Sequence, residues 1–312
     1  MIAPDTARIA LKIGSLSALA LLATSCGAGA TPAAPAISGP PTGFEMKPTF
    51  AEEFDGKAID TRRWNLSYGP RGYNKAVGER TLWSNGELQI YFDPDYLGLG
   101  IDPFALSQGV LTINAKPLPP IAKNAVFGDL ARHPNLLTPG AKLPRIEYSS
   151  GAITTRDVFK QQYGYFEIRA SWSTGKGVWP AFWLLPATGA WPPEIDVVEG
   201  HGDKPGVAFQ TIHSTVAPRS GQVAKVEGSQ QDFHLYGVLW LPDRVDYYVD
   251  GHKTGSVKAP SDLNQPMYLL ANLAIGGYWP GNPDPDPDFR ATYKIDHIRV
   301  WQFRKKPVAA AR

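Results

Sequence analysis

A chain of 312 residues that is 43% apolar and carries 9 Trp, 13 Tyr and 13 Phe has enough to build a packed core, which excludes a disordered or fibrous protein. Lys plus Arg at 31 against Asp plus Glu at 29 leaves a net charge of +2, so the charge balance gives no reason to expect a nucleic-acid partner. A single cysteine excludes an intrachain disulfide framework and a Cys-rich zinc site, while 31 Gly and 29 Pro, about a fifth of the chain, disfavour an all-helical fold.

The first 25 residues read as a secretory signal. Arg8 and Lys12 precede the apolar run from Ile13 to Ala23, which small residues close. The run is too short for the ~20 residues of a membrane-spanning helix. Cys26 stands where a bacterial lipoprotein signal, which this segment resembles, carries its acylated cysteine; the alternative is simple secretion. Both readings export the protein, to the cell envelope or periplasm or beyond, and only the lipid would tie it to a membrane. Residues 26–47, rich in Ala, Gly and Pro, read as an unstructured linker, and 305–312 as a disordered tail.

From 48 to 304 the sequence predicts one all-β domain. Short runs rich in aromatic and β-branched residues are bounded by Gly, Pro, Asn and Asp; examples are 88–92, 110–115, 164–172, 182–185, 195–198, 233–241, 245–249, 268–274 and 293–303. Their close spacing predicts an antiparallel β-sandwich or jelly roll. Asp250-Gly251 between two such runs is a two-residue hairpin signal. Helical periodicity is nearly absent. The stretch 93–145 reads as a long irregular connection with one strand, lining one face of the domain.

The informative segment is Glu194-Ile195-Asp196-Val197-Val198-Glu199. Strand alternation puts Glu194 and Asp196 on one face and would send Glu199 to the other. An extra residue at the Val197-Val198 doublet, a β-bulge, turns Glu199 back to the acidic face. Three crowded carboxyls raise one another's pKa. That is wasteful in a structural strand and useful in glycoside hydrolysis, where two carboxyl groups flank the bond. The bland alternative is an edge strand whose acids face water. Nearby aromatics weigh against it: Trp179 and Trp183 lie one hairpin upstream, and Trp279 sits on a glycine-rich loop. Flat sugar faces stack on such rings. Phe182 is assigned to the core and Trp179 to the cleft, while Trp183 suits either.

The blocks Phe50–Gly56, Asn85–Tyr91, Tyr148–Gly151, Tyr163–Glu167, Trp179–Trp183, Glu194–Glu199, Tyr236–Trp240, Tyr248–Gly251, Ala274–Gly277 and Ile295–Trp301 follow one another in the order found in family 16 glycoside hydrolases, which this sequence resembles over about residues 49–303. The resemblance implies a curved β-jelly roll of the concanavalin A type, with the substrate cleft on its concave face, and hydrolysis with retention. It makes Glu194 the nucleophile, Asp196 its helper and Glu199 the general acid/base. It also implies substrate contacts for Trp179, His213, Trp279, Asn85, Glu87 and Trp183. Asp296 resembles the acid of a structural calcium site, and no cofactor is implied for catalysis. The doublet resembles the bulged, laminarinase-like form of the signature. The expected partner is therefore a β-1,3 or mixed β-1,3/1,4 glucan, cut internally by a monomer. A bacterial exopolysaccharide or galactan, a transglycosylase and a non-catalytic glycan-binding jelly roll stand as alternatives.

Overall fold

The computed structural model describes residues 38–70, 77–133, 144–228 and 230–305. The expected signal peptide, Cys26, the first part of the linker and the last seven residues of the chain lie outside the described residues.

Among the described residues, sixteen strands and one α-helix are formed. In chain order the strands begin with β1 (Met46–Glu52), β2 (Gln89–Tyr91), β3 (Phe104–Ser107), β4 (Val110–Pro117), β5 (Tyr148–Ser150) and β6 (Ala152–Thr154). Then follow β7 (Gly164–Trp172), β8 (Val178–Pro186), β9 (Glu194–Glu199), β10 (Val207–His213) and β11 (Ser220–Lys225). The last are β12 (His234–Trp240), β13 (Arg244–Val249), β14 (His252–Lys258), β15 (Met267–Ile275) and β16 (Ala291–Phe303). One sheet of ten strands runs β14-β13-β12-β7-β16-β4-β5-β2, with β1 on β16 and β3 on β4; the other runs β11-β10-β9-β8-β15-β6. All pairs are antiparallel except β2 with β5. The jelly-roll expectation holds.

Side-chain alternation explains the two layers. On β7 and β16 the residues Phe166, Ile168, Ile298 and Val300 point into the sandwich, where they share one apolar cluster with Phe182, Ile195, Val197 and Val198 of the facing sheet. β12 and β15 are buried along their whole length, which their near-continuous apolar sequences require. The predicted hairpin forms with Asp250 at φ 51° and Gly251 at φ 79°, the two positive φ values of a type I′ turn.

Two expectations need correction. Residues 38–47 are not linker: Ser38 Oγ and Gly39 N–H donate to Glu167 at 2.6 and 3.0 Å, and Met46 already pairs with Phe303. A fully buried carboxylate on β7 requires donors, and this segment supplies them. The 93–145 stretch is not wholly irregular either, because Pro120–Arg132 form helix α1. Ala122, Val126 and Leu130, spaced four apart, pack with Val77, Ile90, Phe92 and Tyr96 in a second small core. Trp83 leans on that core while its neighbours Leu82, Ser84 and Asn85 face the cleft, so the insertion buttresses one cleft wall.

Candidate active site

The outer face of the six-stranded sheet carries a cleft of 540 Å³, and β9 crosses its floor. Phe182 of β8 pairs with Val198 and Trp183 with Asp196, leaving Val197 as the extra residue. From the other side, Phe209 of β10 pairs with Glu199 and Thr211 with Asp196. The bulge is where the doublet predicted it. Both valines enter the core, while Glu194, Asp196 and Glu199 all line the cleft.

The bulge leaves its own backbone to be satisfied. Gln210, fully buried opposite it, donates from Nε2 to the Val197 carbonyl at 3.2 Å. Its Oε1 accepts from Gln222 (2.8 Å) and Thr254 (2.9 Å), which fixes the amide orientation. Gln210→Ala should strand that carbonyl and lower stability by about 1–3 kcal/mol, readable as a fall in thermal midpoint.

The three carboxyls cannot all be ionised. Burial is the main cause that pushes each one up, and their mutual repulsion adds to it. Glu199 is raised to about 7 by burial and by the charge of Glu194, against the lowering effect of a Trp179 Nε1–H donor at 2.9 Å. Glu194 and Asp196 lie close enough to share one proton. Asp196 is 2% exposed, and its Oδ2 has no hydrogen-bond donor. Glu194 Oε2 accepts from Trp191 Nε1 at 2.8 Å. His213 Nε2 lies 3.6 Å from Glu194 and 3.5 Å from Asp196, and burial lowers its pKa, so the ring is neutral at pH 7. Trp179→Phe removes the donor that favours the Glu199 carboxylate. Its alkaline activity limb should therefore move to higher pH, which a pH profile of kcat/KM would reveal.

Aromatic rings wall the acids. Trp179 and Trp279 meet edge to face at 5.1 Å, and Trp279 is boxed by His201 (4.8 Å) and Phe209 (4.9 Å). His201 also contacts Asp203 and faces the Trp279 carbonyl at 3.3 Å. The loop reaches this place because Gly277, at φ 117°, lets the backbone turn close against the Asn85 carbonyl, which accepts from Tyr278 N–H at 2.8 Å. Trp183 lies in the cleft floor and donates to Asn272 at 2.7 Å, while Phe182 is core as expected.

Glu87 lines the cleft with both oxygens already accepting hydrogen bonds from the protein. One oxygen accepts from Asn85 (2.9 Å), the other from Gln89 (2.6 Å) and Leu82 N–H (3.2 Å), so it orients Asn85 toward the cleft. Asp296 is remote from the acids' cleft, with His297 Nδ1 at 2.9 Å and the Arg169 guanidinium at 3.2 Å. Among the described residues, the one group of three with the donor set for a metal is Glu194, Asp196 and His213.

Residues 124–299 match the sequence profile of Glycosyl hydrolases family 16. The chain belongs to this family. This family 16 chain is 40% identical over 230 residues to the endo-1,3-1,4-beta-glycanase ExsH of Rhizobium meliloti (strain 1021), covering 72% of this chain and 45% of that protein. It is 39% identical over 258 residues to EglC of the same organism, also named an endo-1,3-1,4-beta-glycanase, covering 82% and 51%. The chain spans about half the length of these curated relatives. The laminarinase catalytic domain of Thermotoga maritima MSB8 superposes with a TM-score of 0.65 at 28% identity, over 84% of this chain and all of that one.

Sequence reasoning missed several members of this family 16 cleft: Trp191, Asn272, Tyr68, Arg219 and the His201 support. Trp191, 64% exposed, stands three residues before Glu194 and could have been found from that spacing. Asn272 is brought in by β15 and Arg219 by the connection that leads into β11, and nothing local marks them.

Proposed function

We propose that this chain is a retaining endo-glycosidase that cuts β-1,3 or mixed β-1,3/1,4-linked glucan by double displacement. The observation that carries the reading is the bulged β9, which turns Glu194, Asp196 and Glu199 into one aromatic-walled cleft and holds Glu199 protonated up to about pH 7. Glu194 attacks the anomeric carbon as Glu199 gives its proton to the departing oxygen. For the attack the proton shared by Glu194 and Asp196 must sit on Asp196, which leaves Glu194 ionised, and Trp191 N–H steadies that charge. Glu199, now a carboxylate, then takes a proton from water, which hydrolyses the glycosyl ester and restores both groups.

The named activities of ExsH and EglC support the glucan choice. Export, with Cys26 as an acylation point, is part of the same proposal and rests on the sequence of residues 1–26 alone. The test is to digest laminarin and lichenan and follow chain length and product anomer by proton NMR. Falling polymer length with the β-anomer appearing first is expected. Intact polymer, or the α-anomer first, would overturn the reading.

A further inference from the structure

The cleft lining contains one permanently charged cation. Arg219 is exposed there, and among the described residues it makes no hydrogen bond or ion pair. Its place follows from the sheet. The register that pairs Ile212 with Ser220 sets Arg219 beside His213, which is itself paired with Glu194. Glu194, His213 and Arg219, the residue just ahead of β11, thus follow one another across this part of the sheet. Two inter-strand steps of ~4.8 Å put the far end of that row on the order of 10 Å from the nucleophile. β11 is the sheet edge, so the row ends at the open margin of the cleft.

A neutral glucan offers this position only hydroxyls, which amide or hydroxyl side chains serve equally well. The guanidinium presents a planar fork of donors that matches a two-oxygen anion. The acids of the cleft leave that fork unused, since none approaches within 4 Å and they are engaged with Trp179, Trp191 and one another. We propose that Arg219 binds an acidic substituent, a carboxylate or a sulfate ester, carried by a sugar seated beyond His213, so that this cleft selects anionic glycans. The inference rests on the glycosidase reading above and specifies its substrate.

The competing role is internal, because Arg219 also lowers the proton affinity of Asp196 and Glu199 through space. An internal role affects every substrate alike. The test compares wild type with Arg219→Gln and Arg219→Lys on neutral, carboxymethylated and sulfated forms of one β-1,3-glucan. The expected result is a loss of kcat/KM in Arg219→Gln at least tenfold greater on one anionic polymer than on the neutral one. That loss should lie mainly in KM, and Arg219→Lys should recover part of it. Which anionic polymer responds tells carboxylate from sulfate. Equal losses on all three polymers, no loss, or a wild type that cuts only neutral glucan would overturn the inference. A wild type that cuts none of them overturns the glycosidase reading instead, and this inference falls with it.

Discussion

Glu194→Gln should reduce hydrolysis of laminarin or lichenan by at least ~10⁴-fold, the scale on which removal of a nucleophile acts in hydrolases. The amide nearly matches the carboxyl in shape, and it can still face Trp191, whose indole N–H now donates to Oε2 at 2.8 Å. It cannot form the glycosyl ester. Binding should persist, because the rings and Asn85 that line the cleft are untouched. Isothermal titration with an oligosaccharide beside a reducing-sugar assay separates the two readouts. Retained hydrolysis would remove Glu194 from its role; the same weak binding and no hydrolysis in wild type would favour a purely glycan-binding jelly roll.

Glu199→Gln should lower polysaccharide hydrolysis by about 10²–10⁴-fold, the usual share of a general acid. Aryl glycosides with an acidic phenol should suffer less in the first step, since their leaving group departs without a proton. Wild-type activity should fall as pH rises through about 7, where Glu199 loses its proton, and the variant should lack that limb. The substitution acts on stability in the opposite direction to its effect on activity. The folded state holds this proton more tightly than the unfolded chain, so wild type loses stability as pH climbs from the ordinary Glu range, ~4.3, toward 7. A neutral Gln escapes that loss. The variant should therefore be more stable than wild type at pH 8, by up to ~3 kcal/mol, and level with it at pH 4, as urea titrations would show. A variant no more stable at pH 8 would mean the Glu199 carboxyl is not desolvated in the folded protein.

Much of this was legible in the sequence, for a physical reason. Strand alternation is a local rule with a period of two, so a doublet of valines between acids can be read as a bulge without knowing the fold. Phe182 does lie in the core and Trp179 in the cleft, as assigned from the sequence. What the sequence concealed was of another kind. Gln210 looks like any strand glutamine until the bulge's orphan carbonyl stands opposite it. Nothing local in the sequence shows that Glu87 also accepts from Asn85, Gln89 and the Leu82 N–H, and so sets the orientation of Asn85. Helix α1 escaped because its buried stripe is three small or medium residues, with Gly128 in the interior and prolines ahead of it. Its packing on Phe92 and Tyr96, not its propensity, makes it helical. The Ser38 contact with Glu167 was hidden for the same reason: a buried carboxylate more than a hundred residues away creates the need.

That last contact sets a direction for the whole catalyst. Glu167 lies on the outer side of the ten-stranded sheet, beside His297 and Arg299, so Ser38 is stitched to the dorsal surface of the sandwich. The acids open on the ventral surface, through the opposite sheet. The contact that fixes Ser38 and the opening through which a polymer would reach the acids therefore lie on opposite faces of the sandwich, and neither stands in the way of the other.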